Sequence, residues 1–215
     1  MTDAQARKDI TEVYREIGRR GLIAGSSGNV SQRTRGGMLI TPSGCSAETL
    51  EPGGLVAMTL AGDVKGMAAP STEWAMHAAI YLAYPSAQCV VHTHADASTA
   101  LACLNEGLPP FHYMVANFGG DDVRCAPYVT FGTPELARLV VAALAGRTAC
   151  LLANHGMIVH APTADRALSA AIVLETLCRQ YLLARSAGAV RMLNADEMRA
   201  AHERYRTYGQ SGSRG

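Results

Sequence analysis

An apolar run that ends in two histidines constrains the fold of this chain more than any other feature. Residues 87–91 read Ala-Gln-Cys-Val-Val and are followed directly by His92, Thr93 and His94. A short apolar run of this kind predicts a buried strand. Because alternate side chains of a strand point to the same face, His92 and His94 share one face at the end of that strand. Two imidazoles placed in this way supply half of a metal site.

Two further segments supply the remaining ligand types. Glu73 lies in the sequence Pro-Ser-Thr-Glu-Trp, and His155 follows the apolar run Cys-Leu-Leu-Ala-Asn. Three histidines and one carboxylate are ligands that zinc prefers, and the same set suits Mn²⁺, Co²⁺ or Fe²⁺. We interpret His77, four residues after Glu73, as a packing or supporting residue rather than a ligand. The sequence therefore predicts a metal site made of Glu73, His92, His94 and His155.

The composition indicates a globular protein and argues against several classes of function. Of 215 residues, 48% are hydrophobic and 17% are charged, which is typical of one folded domain. A net charge of +1 gives no electrostatic reason to expect nucleic acid or an anionic membrane as a partner. The apolar runs are too short to predict a membrane-spanning helix. Six cysteines without a Cys-x-x-Cys pair, and a polar N-terminus, favour a reducing, cytoplasmic location.

Helical and extended patterns alternate along the chain. Helices are predicted at about 3–20, from Ser71–Thr72 to Tyr84, at 97–104, from Thr133, at 163–187 and from Asn194 to Gly209. Strands are predicted near 30, at 37–41, as a hairpin within 55–68, at 87–94, at 127–131 and as a pair within 149–160. Because short turns join several strands, we expect an α/β fold with a single three-layer αβα domain over residues 1–209. Its central sheet should be mainly antiparallel, and residues 210–215 should form a flexible tail.

Three short loops share a character that suits oxyanion binding. They are Gly28–Asn29, Ser43–Gly44 and Ser71–Thr72, and each combines a hydroxyl or an amide with glycine or with a predicted helix start. Taken singly, each is typical of an ordinary turn. Backbone N–H groups at such places, and the dipole of a helix that begins near Thr72, nevertheless favour negative charge. Together, beside a metal site, the three loops predict a phosphate pocket.

Glu73 has two readings at this point. A carboxylate in the first turn of a helix compensates the helix dipole, which stabilises a helix by about 0.3–1 kcal/mol. Beside a metal, the same carboxylate can act as a ligand and as an acid–base group. Both readings remain open from the residues alone.

With these segments in place, residues 5–209 resemble the class II aldolase and adducin family. The resemblance rests on short motifs, at 28–31, 38–42, 71–74, 90–95, 112–114, 125–128, 131–133, 155–156 and 206–209. The His-Tyr-Met, Cys-Ala-Pro-Tyr and Thr-Tyr-Gly pieces are most similar to the L-fuculose-1-phosphate aldolase branch of that family.

The resemblance implies a reaction and a role for each site residue. The reaction is the reversible retro-aldol cleavage of L-fuculose 1-phosphate, or a similar ketose 1-phosphate, to dihydroxyacetone phosphate and L-lactaldehyde. Zinc would be held by the four predicted ligands, and Glu73 would also move the carbon-bound proton. Phosphate would lie on the three loops, and a homotetramer would form its sites between subunits. The remaining roles would fall to Tyr113 and Tyr208 as catalytic groups and to Phe131 and Tyr205 as an aldehyde pocket.

Other members of the resembled family supply the alternatives. An aldolase for 5-deoxyribulose 1-phosphate or methylthioribulose 1-phosphate fits the same residues. Epimerases, dehydratases and decarboxylases of phosphorylated sugars share the metal site, although ribulose-phosphate epimerases carry aspartate in place of Glu73. Adducin heads keep the fold as interaction domains but lack the full metal set. Tyr205 replaces a phenylalanine of the resembled branch, and residues 117–118 and 121–122 also differ, which affects the expected aldehyde specificity.

Overall fold

The centre of the molecule is an eight-stranded sheet, seen in a computed structural model that describes residues 2–207. Its strands are β1 (Asn29–Thr34), β2 (Gly37–Ile40), β3 (Val56–Met58), β4 (Val64–Lys65), β5 (Cys89–Thr93), β6 (Cys125–Ala126), β7 (Ala149–Leu152) and β8 (Gly156–Ala161). Their order across the sheet is β4-β3-β2-β1-β5-β8-β7-β6. Every neighbouring pair is antiparallel except β6 and β7. The mainly antiparallel sheet is therefore confirmed.

Helices cover both faces of this sheet. They are α1 (Asp3–Arg19), α2 (Trp74–Ala83), α3 (Asp96–Cys103), α4 (Pro134–Ala143), α5 (Ala164–Ala187) and α6 (Ala195–Thr207). One hydrophobic layer lies between the sheet and α1, α3 and α5, and a second lies between the sheet and α2 and α4. Side chains of β5 alternate between the layers, with Val91 in the first and Val90 in the second. The expected three-layer αβα class is therefore confirmed.

Side-chain caps mark several of the predicted helix starts. Thr133 accepts a hydrogen bond from the backbone N–H of Leu136, and the proline after it occupies the first position of α4. Before α6, Asn194 and Glu197 accept from each other's backbone N–H groups, which is the capping box that the sequence predicts. The expected end of that helix at Gly209 lies outside the described residues.

The start of α2 differs from the prediction. The helix begins at Trp74, and Ser71–Thr72 belong to a turn in front of it. The turn forms because the Ser71 carbonyl accepts from Trp74 N–H, while Ser71 N–H donates to the Thr41 carbonyl of a neighbouring segment. Glu73 is therefore the residue that precedes the helix, and its side chain does not cap it. Dipole compensation within a first helical turn no longer accounts for Glu73.

The buried face of α2 was also predicted wrongly. The apolar positions Ala75, Ala78, Ala79 and Leu82 suggested that face, yet the Leu82 side chain is 68% exposed. The residues that α2 buries against the sheet and α4 are Met76, His77, Ala78, Ile80 and Tyr81. A polar network, described below, accounts for the burial of His77 and Tyr81. Periodicity of apolar residues could not indicate it.

The strand predicted at 127–131 is wrong as well. The strand in this region is β6, which ends at Ala126, and the following residues are irregular. Pro127 has no backbone N–H and cannot continue a hydrogen-bonded ladder. The chain therefore leaves the sheet there and leaves Tyr128 and Phe131 each 63% exposed.

Helix α5 packs in the core, although it is also long and apolar. Its length and hydropathy are sufficient to cross a bilayer, and it is the one helix among residues 2–207 for which this is true. Its buried residues, however, belong to the layer that packs on the sheet. Glu175, in the middle of the helix, is 4% exposed and makes structural hydrogen bonds inside the protein. The packing of its apolar residues against the sheet accounts for the apolar character of α5.

Glu175 joins α5 to the start of α3. Its two carboxylate oxygens accept from the backbone N–H groups of Ala97 and Ser98, both at 2.8 Å. These are N–H groups at a helix start, which have no partner within their own helix. The carboxylate satisfies both of them and complements the positive end of the helix dipole. It thereby holds the chain immediately after His94.

We expect Glu175→Ala to lower the free energy of unfolding by about 3 kcal/mol, because two buried donors lose a charged acceptor. Glu175→Gln should lose less, since its amide oxygen still accepts one of the two bonds. Urea unfolding of both variants measures this difference. An alanine variant as stable as the unmodified chain would contradict the anchoring role.

Candidate active site

Strand register brings the predicted metal ligands together. In the antiparallel ladder, Asn29 of β1 lies directly opposite His92 of β5, and His92 in turn lies opposite Ile158 of β8. Directly opposed residues share a face of the sheet. The tight turn between β7 and β8 contains His155, which places this ring at the same end of the sheet as His94. Glu73 reaches the group from the segment before α2.

The four side chains form one compact cluster. One ligand atom from each of Glu73, His92, His94 and His155 can be chosen so that all lie within 4.8 Å of one another. Nε2 of His92 lies 2.9 Å from Nε2 of His94 and 3.0 Å from Oε2 of Glu73. Nε2 of His155 lies 3.1 Å from Oε1 of Glu73.

The hydrogen bonds of His92 and Glu73 fit a cation in this cluster. Nδ1 of His92 donates to the Met157 carbonyl at 2.8 Å, so in the neutral ring Nε2 carries a lone pair toward the cluster. Oε1 of Glu73 is buried and makes no hydrogen bond, although His155 lies beside it. Lone pairs that converge in a buried place repel one another unless positive charge lies between them. The residues present therefore fit a divalent metal ion.

Burial and mutual charge set the ionisation of the cluster. Burial by itself would raise the pKa of Glu73, but His92 and His155 outweigh it and hold that pKa far below its ordinary value. Burial lowers the pKa of His94 to about 4, and the neighbouring histidines add to the effect. A carboxylate that stays ionised and an imidazole that stays neutral are the forms in which these groups bind metals.

Close approach of two strands at the histidines requires glycine at position 156. A Cβ atom there would lie 2.4 Å from the Thr93 carbonyl oxygen and 3.0 Å from Cδ2 of His94. Any side chain would force β8 away from the end of β5. Gly156 therefore allows His155 and His94 to approach each other, which explains why a glycine follows the histidine.

The three predicted phosphate loops meet at the same place. Ser43 N–H donates to the Ala69 carbonyl, and Ser71 N–H donates to the Thr41 carbonyl, so two of the loops are tied side by side. Gly28 and Gly44 have φ values of +83° and +70°, a conformation that glycine adopts without strain. The loops line a cavity of about 510 Å³ whose wall also contains Glu73, His94 and His155 of the cluster, while the fourth member, His92, is buried behind it. The predicted loop residues found in its wall are Gly28, Asn29, Ser43, Gly44, Ser71 and Thr72.

The cavity wall contains six residues to which the sequence gave no site role. They are Ser26, Ser27, Pro42, Tyr128, Val129 and Asn154. Tyr128 belongs to the Cys-Ala-Pro-Tyr motif, so its position in a motif was a usable signal. Asn154 directly precedes His155 and has a φ of +55°, which is uncommon for a non-glycine residue. Nothing in the sequence indicates this conformation.

The residues predicted for the aldehyde end are divided between two places. Phe131 lines the cavity, whereas Tyr113 and Tyr205 do not. Tyr113 is 54% exposed, and its ring lies against His112 and Tyr205, with ring centroids 4.7 Å and 6.3 Å away. Within one chain, Phe131 and Tyr205 therefore do not form a single pocket. Tyr208 lies outside the described residues.

His77 supports the site from behind. It is fully buried, contributes no atom to the metal cluster and contacts Asn29 through Nε2. Burial lowers its pKa to about 3, and the nearby His92 adds to the effect, so the ring is neutral. This position agrees with its interpretation as a supporting residue.

Comparison with known proteins identifies the family. The family described as "Class II Aldolase and Adducin N-terminal domain" matches residues 8–182. The chain is 43% identical to a 5-methylthioribulose-1-phosphate/5-deoxyribulose-1-phosphate aldolase of Rhodospirillum rubrum, over 95% of this chain and 93% of that protein. It is 40% identical to the L-fuculose phosphate aldolase of Escherichia coli, over 94% of each. A solved L-fuculose 1-phosphate aldolase superposes with a TM-score of 0.91 at 34% identity, covering 96% of this chain and 98% of that one.

The chain belongs to the class II aldolase and adducin family, as the sequence motifs predicted. Within that family it is an enzyme of the aldolase class, a carbon–carbon lyase.

The cluster generates a prediction about metal content. We expect the purified protein to carry about one divalent ion per chain, because four ligands of the preferred types converge. His94→Ala should lose most of that metal, since the three remaining ligands, two histidines and the Glu73 carboxylate, hold it less tightly than four. Elemental analysis after dialysis measures both.

His202→Ala is the matched control, because this histidine pairs with Asp121 on the surface and lies outside the cluster. Its metal content should equal that of the unmodified chain. Equal metal content in the His94 variant would contradict the proposed ligand set.

Proposed function

We propose that this protein cleaves a ketose 1-phosphate reversibly to dihydroxyacetone phosphate and a small aldehyde, with a divalent metal as its cofactor. The observation that carries the proposal is one cavity whose wall contains Glu73, His94 and His155 of the four-residue cluster together with the three predicted oxyanion-binding loops. A phosphorylated substrate bound there would lie with its phosphate on the loops and its carbonyl near the cluster.

The metal and the carboxylate would divide the chemistry of cleavage. A bound divalent cation would supply Lewis-acid stabilisation of the negative charge that develops on the ketone oxygen. Glu73 handles the proton. In the direction of synthesis it removes a proton from the carbon next to the carbonyl of dihydroxyacetone phosphate, and in cleavage it returns that proton. Glu73 would leave the metal when substrate binds, and its Oε1, which accepts no hydrogen bond within the described residues, would then be available for this exchange.

Phosphate binding would orient the substrate. The loops offer backbone N–H groups, the hydroxyls of Ser43, Ser71 and Thr72, and the Asn29 amide. Among residues 2–207, no lysine or arginine lines the cavity. Binding energy from the phosphate, remote from the breaking bond, is then spent on holding the reacting carbon near Glu73.

The aldehyde end would suit an apolar terminus. Two aromatic side chains, Tyr128 and Phe131, line the cavity and are largely exposed, so they can cover an incoming methyl group. L-fuculose 1-phosphate, 5-deoxyribulose 1-phosphate and methylthioribulose 1-phosphate all lack a hydroxyl on the terminal carbon. We therefore place the substrate among these three and exclude ketoses with a terminal hydroxyl as the preferred class.

A substrate panel tests this proposal. The three candidates and ribulose 1-phosphate, which carries the terminal hydroxyl, are compared by the release of dihydroxyacetone phosphate. We expect kcat/KM to be about tenfold or more higher for the preferred substrate than for ribulose 1-phosphate, since a hydroxyl left unpaired against the aromatic side chains costs about 1.4 kcal/mol or more. Release of dihydroxyacetone phosphate from none of the four would refute the function.

A second experiment separates the two roles of Glu73. Glu73→Gln should keep most of the metal, because three histidines remain, but should lose exchange of the dihydroxyacetone phosphate proton with solvent by about 10² or more. Exchange is followed by incorporation of deuterium. Unchanged exchange with full metal content would assign the base to another residue.

We also propose that Tyr113 and Tyr208 serve the site of a neighbouring subunit in a homotetramer. The support within the described chain is that Tyr113 is exposed and stands outside the cavity wall. Either hydroxyl would exchange a proton with the aldehyde oxygen, and Tyr205 would join the aldehyde pocket from the neighbour.

Hybrid assemblies test the shared site. Tyr113→Phe and Glu73→Gln chains should each be nearly inactive, and mixing them should restore sites that have both groups intact. We therefore expect mixed tetramers to exceed the summed activity of the parents. A monomeric mass by light scattering, or no gain in verified mixed tetramers, would remove the shared-site proposal.

A further inference from the structure

A line of buried hydrogen bonds runs from Glu73 away from the cavity. Asn29 Nδ2 lies 3.1 Å from Glu73 Oε2, and Asn29 Oδ1 lies 2.5 Å from His77 Nε2. Ser31 Oγ then lies 2.7 Å from His77 Nδ1 and 2.8 Å from the Tyr81 hydroxyl. All five side chains are at most 7% exposed. Solvent therefore has little part in satisfying these groups.

The Glu73 carboxylate at one end of this line fixes the donor and the acceptor of every hydrogen bond in it. The ionised Glu73 carboxylate can only accept, so the Asn29 amide must face it with Nδ2 and face His77 with Oδ1. Because Oδ1 can only accept, Nε2 of the neutral His77 ring must donate. Nδ1 then carries the lone pair and accepts from Ser31, whose oxygen accepts from Tyr81. One tautomer of His77 satisfies the whole line.

This tautomer prevents the Asn29 amide from turning over. A reversed amide would place two donors, Nδ2 of Asn29 and Nε2 of His77, against each other and would set Oδ1 against the Glu73 carboxylate. In the observed orientation of the amide, Nδ2 of Asn29 donates one hydrogen to Glu73 and keeps its second hydrogen for another acceptor. Asn29 also lines the cavity at the phosphate loops.

We propose that His77 is a positioning residue that fixes the Asn29 amide, so that one side chain donates both to Glu73 and to the phosphate of the substrate. His77 itself touches neither substrate nor metal. The inference rests on the proposed function, which supplies both the phosphate of the substrate and the acid–base role of Glu73. It adds a physical link between phosphate binding and the base.

Two substitutions at position 77 separate the two ring nitrogens. In His77→Gln, the side-chain amide reaches the place of Nε2 and can still donate to Asn29. In His77→Asn, the shorter amide reaches the place of Nδ1, accepts from Ser31 and leaves Asn29 Oδ1 without a donor. The two variants have similar polarity, so a merely structural role for His77 would affect them alike.

The first measurement is the affinity of each metal-loaded variant for inorganic phosphate, by calorimetry. We expect His77→Asn to bind phosphate about tenfold more weakly than His77→Gln, because the Asn29 amide loses its fixed orientation. Deuterium exchange into dihydroxyacetone phosphate should fall in the same order. Tyr84→Phe controls for loosening of α2. Tyr84 directly follows this helix, and the substitution removes the hydrogen bond from its hydroxyl to the Val141 carbonyl of α4. Equal phosphate affinity in the two His77 variants would overturn the proposal.

The second measurement uses the unmodified chain and requires no variant to fold. Nitrogen-15 NMR of the His77 ring should show a protonated Nε2 and an unprotonated Nδ1 across neutral pH. The opposite tautomer, or no phosphate binding by the unmodified chain, would overturn the positioning role. If no ketose 1-phosphate is cleaved while the phosphate difference and the tautomer stand, then the proposed function fails and the role of His77 is retained.

Discussion

The antiparallel pairing of β1, β5 and β8 is the constraint on which the rest of the site depends. It sets Asn29 against His92 and brings the start of β8, with His155 directly before it, to the end of β5. A slip of one residue in either ladder would turn the corresponding side chains to the other face of the sheet. The register is protected because Val30 and Val91 fill one hydrophobic layer while Val90 and Ile158 fill the other. Core packing thus fixes the position of the ligands.

The two carboxylates that are buried within residues 2–207 both have partners. Glu175 faces two helix N–H groups, and Glu73 faces two histidines and the Asn29 amide. An isolated buried carboxylate would be costly, since its desolvation is not compensated. The difference between the two residues lies in what remains unsatisfied. Both oxygens of Glu175 have hydrogen bonds, which suits an anchor, whereas Oε1 of Glu73 has none, which suits a group that exchanges a ligand or a proton.

The errors of the sequence analysis concern polar or proline-containing segments. The helix start at Ser71 was a reasonable inference from its hydroxyls, but a backbone bond from Ser71 to Thr41 holds that segment in a turn. The buried face of α2 was inferred from small apolar residues, although His77 and Tyr81 are the groups with buried partners. In both cases a contact with a residue distant in sequence overrode a local preference.

The sequence by itself determined the alternation of elements, the αβα class, the family and the four side chains that form the cluster. These follow from periodicity, from turn residues and from ligand types, all of which are local or compositional signals. Only the tertiary structure decided that Asn154 and Tyr128 line the cavity, that Tyr113 stands apart from it, and that His77 contacts Asn29. The physical reason is that strand register and helix docking, which set these distances, depend on packing between residues far apart in the chain.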